Sequence, residues 1–240
     1  MHRDSLGYTQ VIGPGAVNSM TAGNGIAHSD RAGTDLYEHS RLHGIHSWIA
    51  LPGGDEEIAP AFTHIPGDNI PQLQVGRVSV RVLMGTAYAQ ISPVTRYSPT
   101  LYLECRMSDG STLELPESAA EIAAYVISGR LKIVRHSYPE GVMLVACPGK
   151  AVRLEAEVDT HLMIIGGDPV GGRYIWWNFV SSSRERIEKA KRDWKAGGLK
   201  RYLETRSSFR CRIDPDDPIS GFRVPVFAQC VENAHGGFPL

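Results

Sequence analysis

The chain has 240 residues, of which 42% are hydrophobic and 21% charged, enough to bury a core without disulfide or metal staples. Its 25 Lys and Arg residues against 26 Asp and Glu residues give a net charge of −1 with no basic tract, so direct nucleic-acid binding is not expected. No apolar run reaches the roughly 18 residues of a membrane span, and no signal peptide opens the chain, which predicts a cytoplasmic protein without membrane contact.

Glycine and proline divide residues 1–180 into short alternating apolar segments, which is typical of an antiparallel β protein. At 78–82 and 101–107 apolar and polar side chains alternate, and each run predicts a strand with one buried face. The second run ends at Ser108-Asp109-Gly110-Ser111, which predicts a hairpin with residues 112–115 as its returning strand. Residues 124–134 predict a strand, a Ser-Gly turn and another strand.

The N-terminal segment recurs later in the chain at a constant offset of 134 (136 − 2). The matched residues are His2, Gly7, Val11, Pro14 and Gly15 against His136, Gly141, Val145, Pro148 and Gly149. The strands predicted at 124–134 have no counterpart ahead of His2. The sequence therefore predicts two barrels of one type with the first incomplete, whether it is open, filled by another chain or truncated.

Residues 181–199 predict a C-terminal helix. Ser182 and Glu185 fit a capping box at its start, Gly197-Gly198 supplies its end, and Trp194 lies on its apolar stripe, where we expect it to anchor the helix on the barrel. The four cysteines lack zinc spacing and are expected to be buried thiols: Cys105, Cys147, Cys211 and Cys230.

His28 and Asp30 are the candidate metal ligands. Two residues apart on a strand, they share one face and can chelate an ion such as Fe(II) or Mn(II). A hydrogen-bonded loop is the alternative, because two ligands hold a transition metal poorly. For the other histidines the sequence predicts structural roles at His136 and His161, solvated side chains at His39 and His64, and at most one of His43 and His46 facing a shared cavity. No hydrolase elbow, P-loop or dinucleotide motif occurs.

Several segments together resemble the pirin family of the cupin superfamily, over nearly all of residues 1–199. They are His2-Arg3-Asp4-Ser5-Leu6-Gly7, Val11-Ile12-Gly13-Pro14-Gly15, Met20-Thr21-Ala22-Gly23, Gly25-Ile26, His28-Ser29, Leu42-His43-Gly44, Trp48, Leu51-Pro52, Gly167-Asp168-Pro169-Val170, Trp177-Asn178-Phe179-Val180 and Asp193-Trp194. The resemblance implies an all-β fold of two tandem cupin-type barrels, a bicupin, with a C-terminal helix. We expect an N-terminal cupin domain at 1–92, a C-terminal one with the helix at 93–206, and an extended tail at 207–240.

The resemblance also implies an Fe(II) site made by three histidines and a glutamate in the N-terminal barrel. His28 matches the third histidine, and Asp30 stands where pirins usually carry glutamate. The other two belong to a His-x-His motif ahead of the segment that matches His2, so the sequence given holds two of the four ligands. Three functions stay open: a quercetin 2,3-dioxygenase-like oxidoreductase acting on a flavonol, an iron-responsive regulator that contacts protein partners, or a form without tight metal binding.

Overall fold

The computed structural model describes residues 1–30, 43–116 and 119–196, and the backbone of 227–232. These residues form β-strands, two 3₁₀ turns (Gly53–Asp55 and Gly67–Asn69) and the helix α1 (Arg184–Lys195). The strands in chain order are β1 (His2–Asp4), β2 (Thr9–Gln10), β3 (Val17–Thr21), β4 (His28–Asp30), β5 (His43–Trp48), β6 (Ala61–Ile65), β7 (Gln72–Val75), β8 (Val78–Met84), β9 (Thr86–Ala87), β10 (Gln90–Ile91), β11 (Thr100–Met107), β12 (Thr112–Glu114), β13 (Glu121–Ser128), β14 (Arg130–Ile133), β15 (His136–Pro139), β16 (Met143–Val145), β17 (Arg153–Ala156), β18 (Thr160–Gly167), β19 (Tyr174–Trp176), β20 (Phe179–Ser181) and β21 (Phe227–Glu232).

The chain divides into two compact units. The first takes its described residues from 1–12, 21–61 and 171–240, and the second from 13–20 and 62–170. The second unit includes β8 because this strand pairs with β11 in one sheet. These units divide the chain differently from the expected boundary between 92 and 93, so the extents of the two cupin domains stay a prediction.

The second unit is built from a six-stranded sheet, in the order β16-β13-β18-β11-β8-β7, and a four-stranded sheet, in the order β12-β17-β14-β15. Alternate residues of β8 and β11 are completely buried in its core, among them Val80, Val82 and Leu103. Their polar neighbours lie on the opposite face, as the alternation predicts. Each such side chain contributes about 1.5–3 kcal/mol through its removal from water.

The predicted hairpin after β11 is correct as a turn and wrong in its pairing. The amide of Ser111 donates to the carbonyl of Ser108 at 2.9 Å, and Gly110 takes a φ of +67°. However, β12 pairs with β17 in the other sheet. The reason is that β18 and β8 already occupy both edges of β11.

The strands predicted at 124–134 are confirmed as β13 and β14, which also lie in different sheets. Gly129 joins them with a φ of +89°, and a Cβ built there would lie 2.4 Å from the carbonyl oxygen of Asp159. Glycine is therefore the residue that this corner requires.

The local backbone agrees with the predicted repeat. Gly7 and Gly141 have φ values of +96° and +81°, and Gly15 and Gly149 have +73° and +70°. At the same offset, β1 corresponds to β15 and β2 to β16. The recurring glycines thus mark turns of the same handedness between corresponding strands.

The helix prediction needs two corrections. Ser183, not Ser182, is the N-cap, because its Oγ accepts the amide of Arg186 at 3.2 Å, whereas the amide and hydroxyl of Ser182 donate to Glu56. Trp194 is 37% exposed instead of buried, since its ring contacts Trp177 on the surface of the first unit. The expected Gly197-Gly198 end lies outside the described residues.

Of the two cysteines whose side chains are described, one is buried as expected and the other is not. Cys105 is buried, and burial raises the pKa of its thiol to about 12, whereas Cys147 is exposed because it lies in a surface turn. Cys211 lies outside the described residues, and only the backbone of Cys230 is described. That residue belongs to β21, which pairs with β5, so part of the expected tail is a sheet strand. In the described part of the chain, no helix has the length and apolarity needed to cross a bilayer.

Candidate functional site

The candidate ligands lie in a three-stranded sheet of the first unit, in the order β2-β1-β4. In the antiparallel pairing of β1 with β4, His2 stands opposite Asp30 and Asp4 opposite His28. Because side chains alternate along a strand, these four residues project from one face of the sheet. His28 and Asp30 therefore share a face, as their spacing predicts.

His2 lies between two carboxylates. Its Nδ1 is 3.1 Å from Oδ1 of Asp30, and its Nε2 is 3.1 Å from Oδ2 of Asp4. The side chains of His2 and Asp4 are almost fully buried, while that of Asp30 is 49% exposed. Both ring nitrogens of His2 are thus engaged, and this residue is not placed to bind a metal.

Asp4 is fixed by the turn between β1 and β2. Its Oδ1 accepts the backbone amides of Leu6 at 2.9 Å and Tyr8 at 3.1 Å. The amide of Gly7 donates to the carbonyl oxygen of Asp4 at 3.1 Å, with Gly7 in the left-handed region. His2 and Asp4 are not among the site residues predicted from the sequence. The available signal was a second His-x-Asp triplet, since antiparallel pairing of two such triplets places each histidine opposite an aspartate.

The His28 ring stacks on the His2 ring, with centroids 5.9 Å apart and planes 25° from parallel. Burial lowers the pKa of His28 below its ordinary 6.5, an effect that Asp30 and Asp4 oppose and that His2 and His46 reinforce. Burial thus favours the neutral form of His28, the protonation state in which an imidazole nitrogen binds a metal.

The other described histidines differ in their contacts and in their exposure. His46 contacts Trp48 edge-on and helps to lower the pKa of His28, whereas His64 bonds to Asn18 at 2.7 Å. His64, expected to be solvated, is partly buried on strand β6 and keeps part of its surface exposed. His161 bonds to Glu104 at 3.0 Å, which agrees with a structural role, and His136 is exposed. His39 lies outside the described residues.

The donors present fit part of a metal site. An imidazole nitrogen from His28 and the second carboxylate oxygen of Asp30 are ligands of the type that Fe(II) and Mn(II) accept. Among residues 1–30, 43–116 and 119–196, however, no group of three or more His, Cys, Asp or Glu side chains is arranged around a metal position. The described residues thus offer two ligands, and further ligands are needed to complete a site.

Family models match two parts of this chain: the pirin model at residues 1–49 and the pirin C-terminal cupin domain at 102–200. A pirin-like protein of Caulobacter vibrioides is 45% identical over 201 residues, which cover 83% of this chain and 69% of that protein. A Pseudomonas aeruginosa protein, provisionally named a quercetin 2,3-dioxygenase, is 34% identical over 82% of this chain and 62% of its own length. The chain thus spans about two thirds of the length of these relatives.

A crystal structure of quercetin 2,3-dioxygenase from Acinetobacter baumannii has the same fold. It superposes with a TM-score of 0.77 at 24% identity, over 91% of this chain and 73% of that one. This likeness and the strand content confirm an all-β bicupin with a C-terminal helix. Together with the 45% identity to the Caulobacter protein, they establish that the chain belongs to the pirin family of cupin proteins.

Proposed function

We propose that this pirin is an Fe(II)-binding, quercetin 2,3-dioxygenase-like oxidoreductase of the cytoplasm, with a flavonol as its small-molecule substrate. The observation that carries the proposal is the placement of His28 and Asp30 on one face of the strand β4. The similarity to the Pseudomonas aeruginosa relative supports the choice of reaction.

His28 and Asp30 are proposed as two of the metal ligands. His28 offers a nitrogen lone pair near pH 7, because its pKa is lowered. Asp30 keeps its Oδ2 for a metal while His2 contacts Oδ1. The bound ion would supply Lewis-acid and redox chemistry toward the flavonol and O₂. The His-x-His pair of the family pattern is proposed to complete the ligand set.

Anaerobic titration of metal-depleted native protein with Fe(II), followed by oxygen uptake with quercetin, tests this proposal. We expect a saturable Fe(II) site and quercetin-dependent oxygen uptake. His28→Ala should lose both. The matched controls His136→Ala and His161→Ala should keep the iron, since both residues belong to the second unit.

Two other outcomes would replace the proposal by its alternatives. Iron binding without flavonol oxidation would refute the dioxygenase function, and iron-dependent capture of a protein partner would then support the regulatory function. Absence of any saturable iron site would support the form without tight metal binding. Loss of iron in His136→Ala or His161→Ala would place the site in the second unit instead.

A further inference from the structure

We propose that His2 is a positioning residue that holds the Asp30 carboxylate and the His28 ring in the orientation needed for a metal. This inference rests on the proposed metal site and adds a residue to it. Its basis is that a single buried side chain contacts both candidate ligands: His2 reaches Asp30 through Nδ1 and stacks its ring on His28.

The contact chain starts at Asp4, whose position is set by the backbone. Three partners hold this fully buried carboxylate: the amides of Leu6 and Tyr8 on Oδ1, and the His2 ring on Oδ2. A buried carboxylate is costly unless it is satisfied in this way. Asp4 is therefore a fixed anchor, and its second oxygen determines where the Nε2 of His2 lies.

His2 transmits that position across the strand pair. Its ring is buried between the two carboxylates, so both nitrogens have a partner and the ring cannot turn without breaking a contact. Asp30 is directly opposite in the register, the closest cross-strand position available. The path from the backbone anchor to the candidate ligand thus runs through one imidazole.

Asp30 needs such support because its side chain is half exposed. A freely rotating carboxylate loses rotamer entropy when it binds a metal, and a bond to Oδ1 removes part of that loss beforehand. Partners of this kind behind metal ligands change metal affinity by roughly 10–100-fold when they are removed. The same magnitude is expected for His2.

The second repeat provides a matched control. At the offset of 134, His136 corresponds to His2, and Tyr138 stands at the position of Asp4. His136 is exposed and belongs to the second unit. A substitution of His136 therefore removes a histidine side chain, but not one that connects two carboxylates as His2 does.

The test compares His2→Phe, His2→Gln and His136→Phe by titration of the native protein with Co(II), recording affinity and visible absorption spectrum. Phenylalanine keeps the ring and loses both nitrogens, whereas the glutamine amide can still donate to Asp30. We expect His2→Phe to weaken Co(II) binding roughly 10–100-fold and shift the ligand-field bands. His2→Gln should restore part of both, and His136→Phe should match the wild type.

A second measurement needs no metal. The ring nitrogen resonances of His2 in the ¹⁵N-labelled, metal-free protein should shift in Asp30→Ala, a substitution that we expect the fold to tolerate because the Asp30 side chain is half exposed. Unchanged resonances would overturn the inference, as would wild-type Co(II) affinity and spectrum in His2→Phe. A wild-type protein that binds no metal would contradict the proposed function, while the nitrogen resonances would still decide whether His2 holds Asp30.

Discussion

Glu104 contributes a stability that depends on pH. This residue of β11 is 13% exposed and accepts hydrogen bonds from Arg81 at 2.6 Å and from His161 and Arg106 at 3.0 Å each. The hydrogen bonds from His161 and Arg81, together with the Coulombic attraction of Arg81, lower the pKa of Glu104 from 4.5 to about 2 against the opposing effect of burial. At 1.36 kcal/mol per pH unit, this difference corresponds to about 3 kcal/mol of folding free energy.

The sign follows from proton binding. The folded state has the lower pKa, so the unfolded state binds the proton more tightly. The contribution is therefore fully present above about pH 4.5 and is lost as the pH falls toward about 2. Glu104→Gln should lower the free energy of unfolding by about 3 kcal/mol at pH 7, with the difference from wild type shrinking over that window.

Urea unfolding at a series of pH values measures this effect. All four tryptophans lie in the first unit, so tryptophan fluorescence does not report on the second unit, and far-UV circular dichroism is used to follow the strands of both units. Glu155→Gln is the matched control, because Glu155 pairs with Lys132 through exposed side chains and should cost less than about 1 kcal/mol. A loss for Glu104→Gln that stays constant from pH 7 to pH 2, or that equals the control, would show that ionised Glu104 does not stabilise the fold in this way.

Three further substitutions test the local structure by urea unfolding. Ser183→Ala should lower the free energy of unfolding by about 1 kcal/mol through loss of the N-cap. A larger loss of helix ellipticity in Ser182→Ala than in Ser183→Ala would contradict the assignment of Ser183 as the N-cap. Gly129→Ala should destabilise more than Gly110→Ala, since both have positive φ but only the first would place a Cβ against backbone; equal costs would argue against the close approach. Arg173 forms an ion pair with the mostly buried Glu56. Arg173→Met should therefore lower the free energy of unfolding by about 3 kcal/mol, because it leaves Glu56 without this partner, and a loss under about 1 kcal/mol would show that the pair is solvated.

The fold was largely predictable because alternation and turn residues are local signals. Alternating residues identify a strand's buried face, which holds for β8 and β11, but they do not identify its neighbours. The pairing of β12 with β17 depends on which sheet edges are already occupied, information that is absent from the turn at Gly110. The helix start at Ser183 likewise depended on Glu56, a residue far away in sequence that engages Ser182.

The candidate site was half predictable for a similar reason. The spacing of His28 and Asp30 within one strand is local, and it indicates a shared face directly. The turn that fixes Asp4 is local, but the contribution of His2 arises from the register between β1 and β4, which no single segment encodes. Paired His-x-Asp triplets are the pattern by which such an arrangement could be recognised in advance.

The most direct test of the metal site is an anomalous-difference map at the iron absorption edge, from crystals of the native protein grown anaerobically with Fe(II). We predict one strong peak in the first unit, at coordination distance from a ring nitrogen of His28 and a carboxylate oxygen of Asp30. An iron peak beside His161 and Glu104 in the second unit, or no ordered iron near His28, would contradict it.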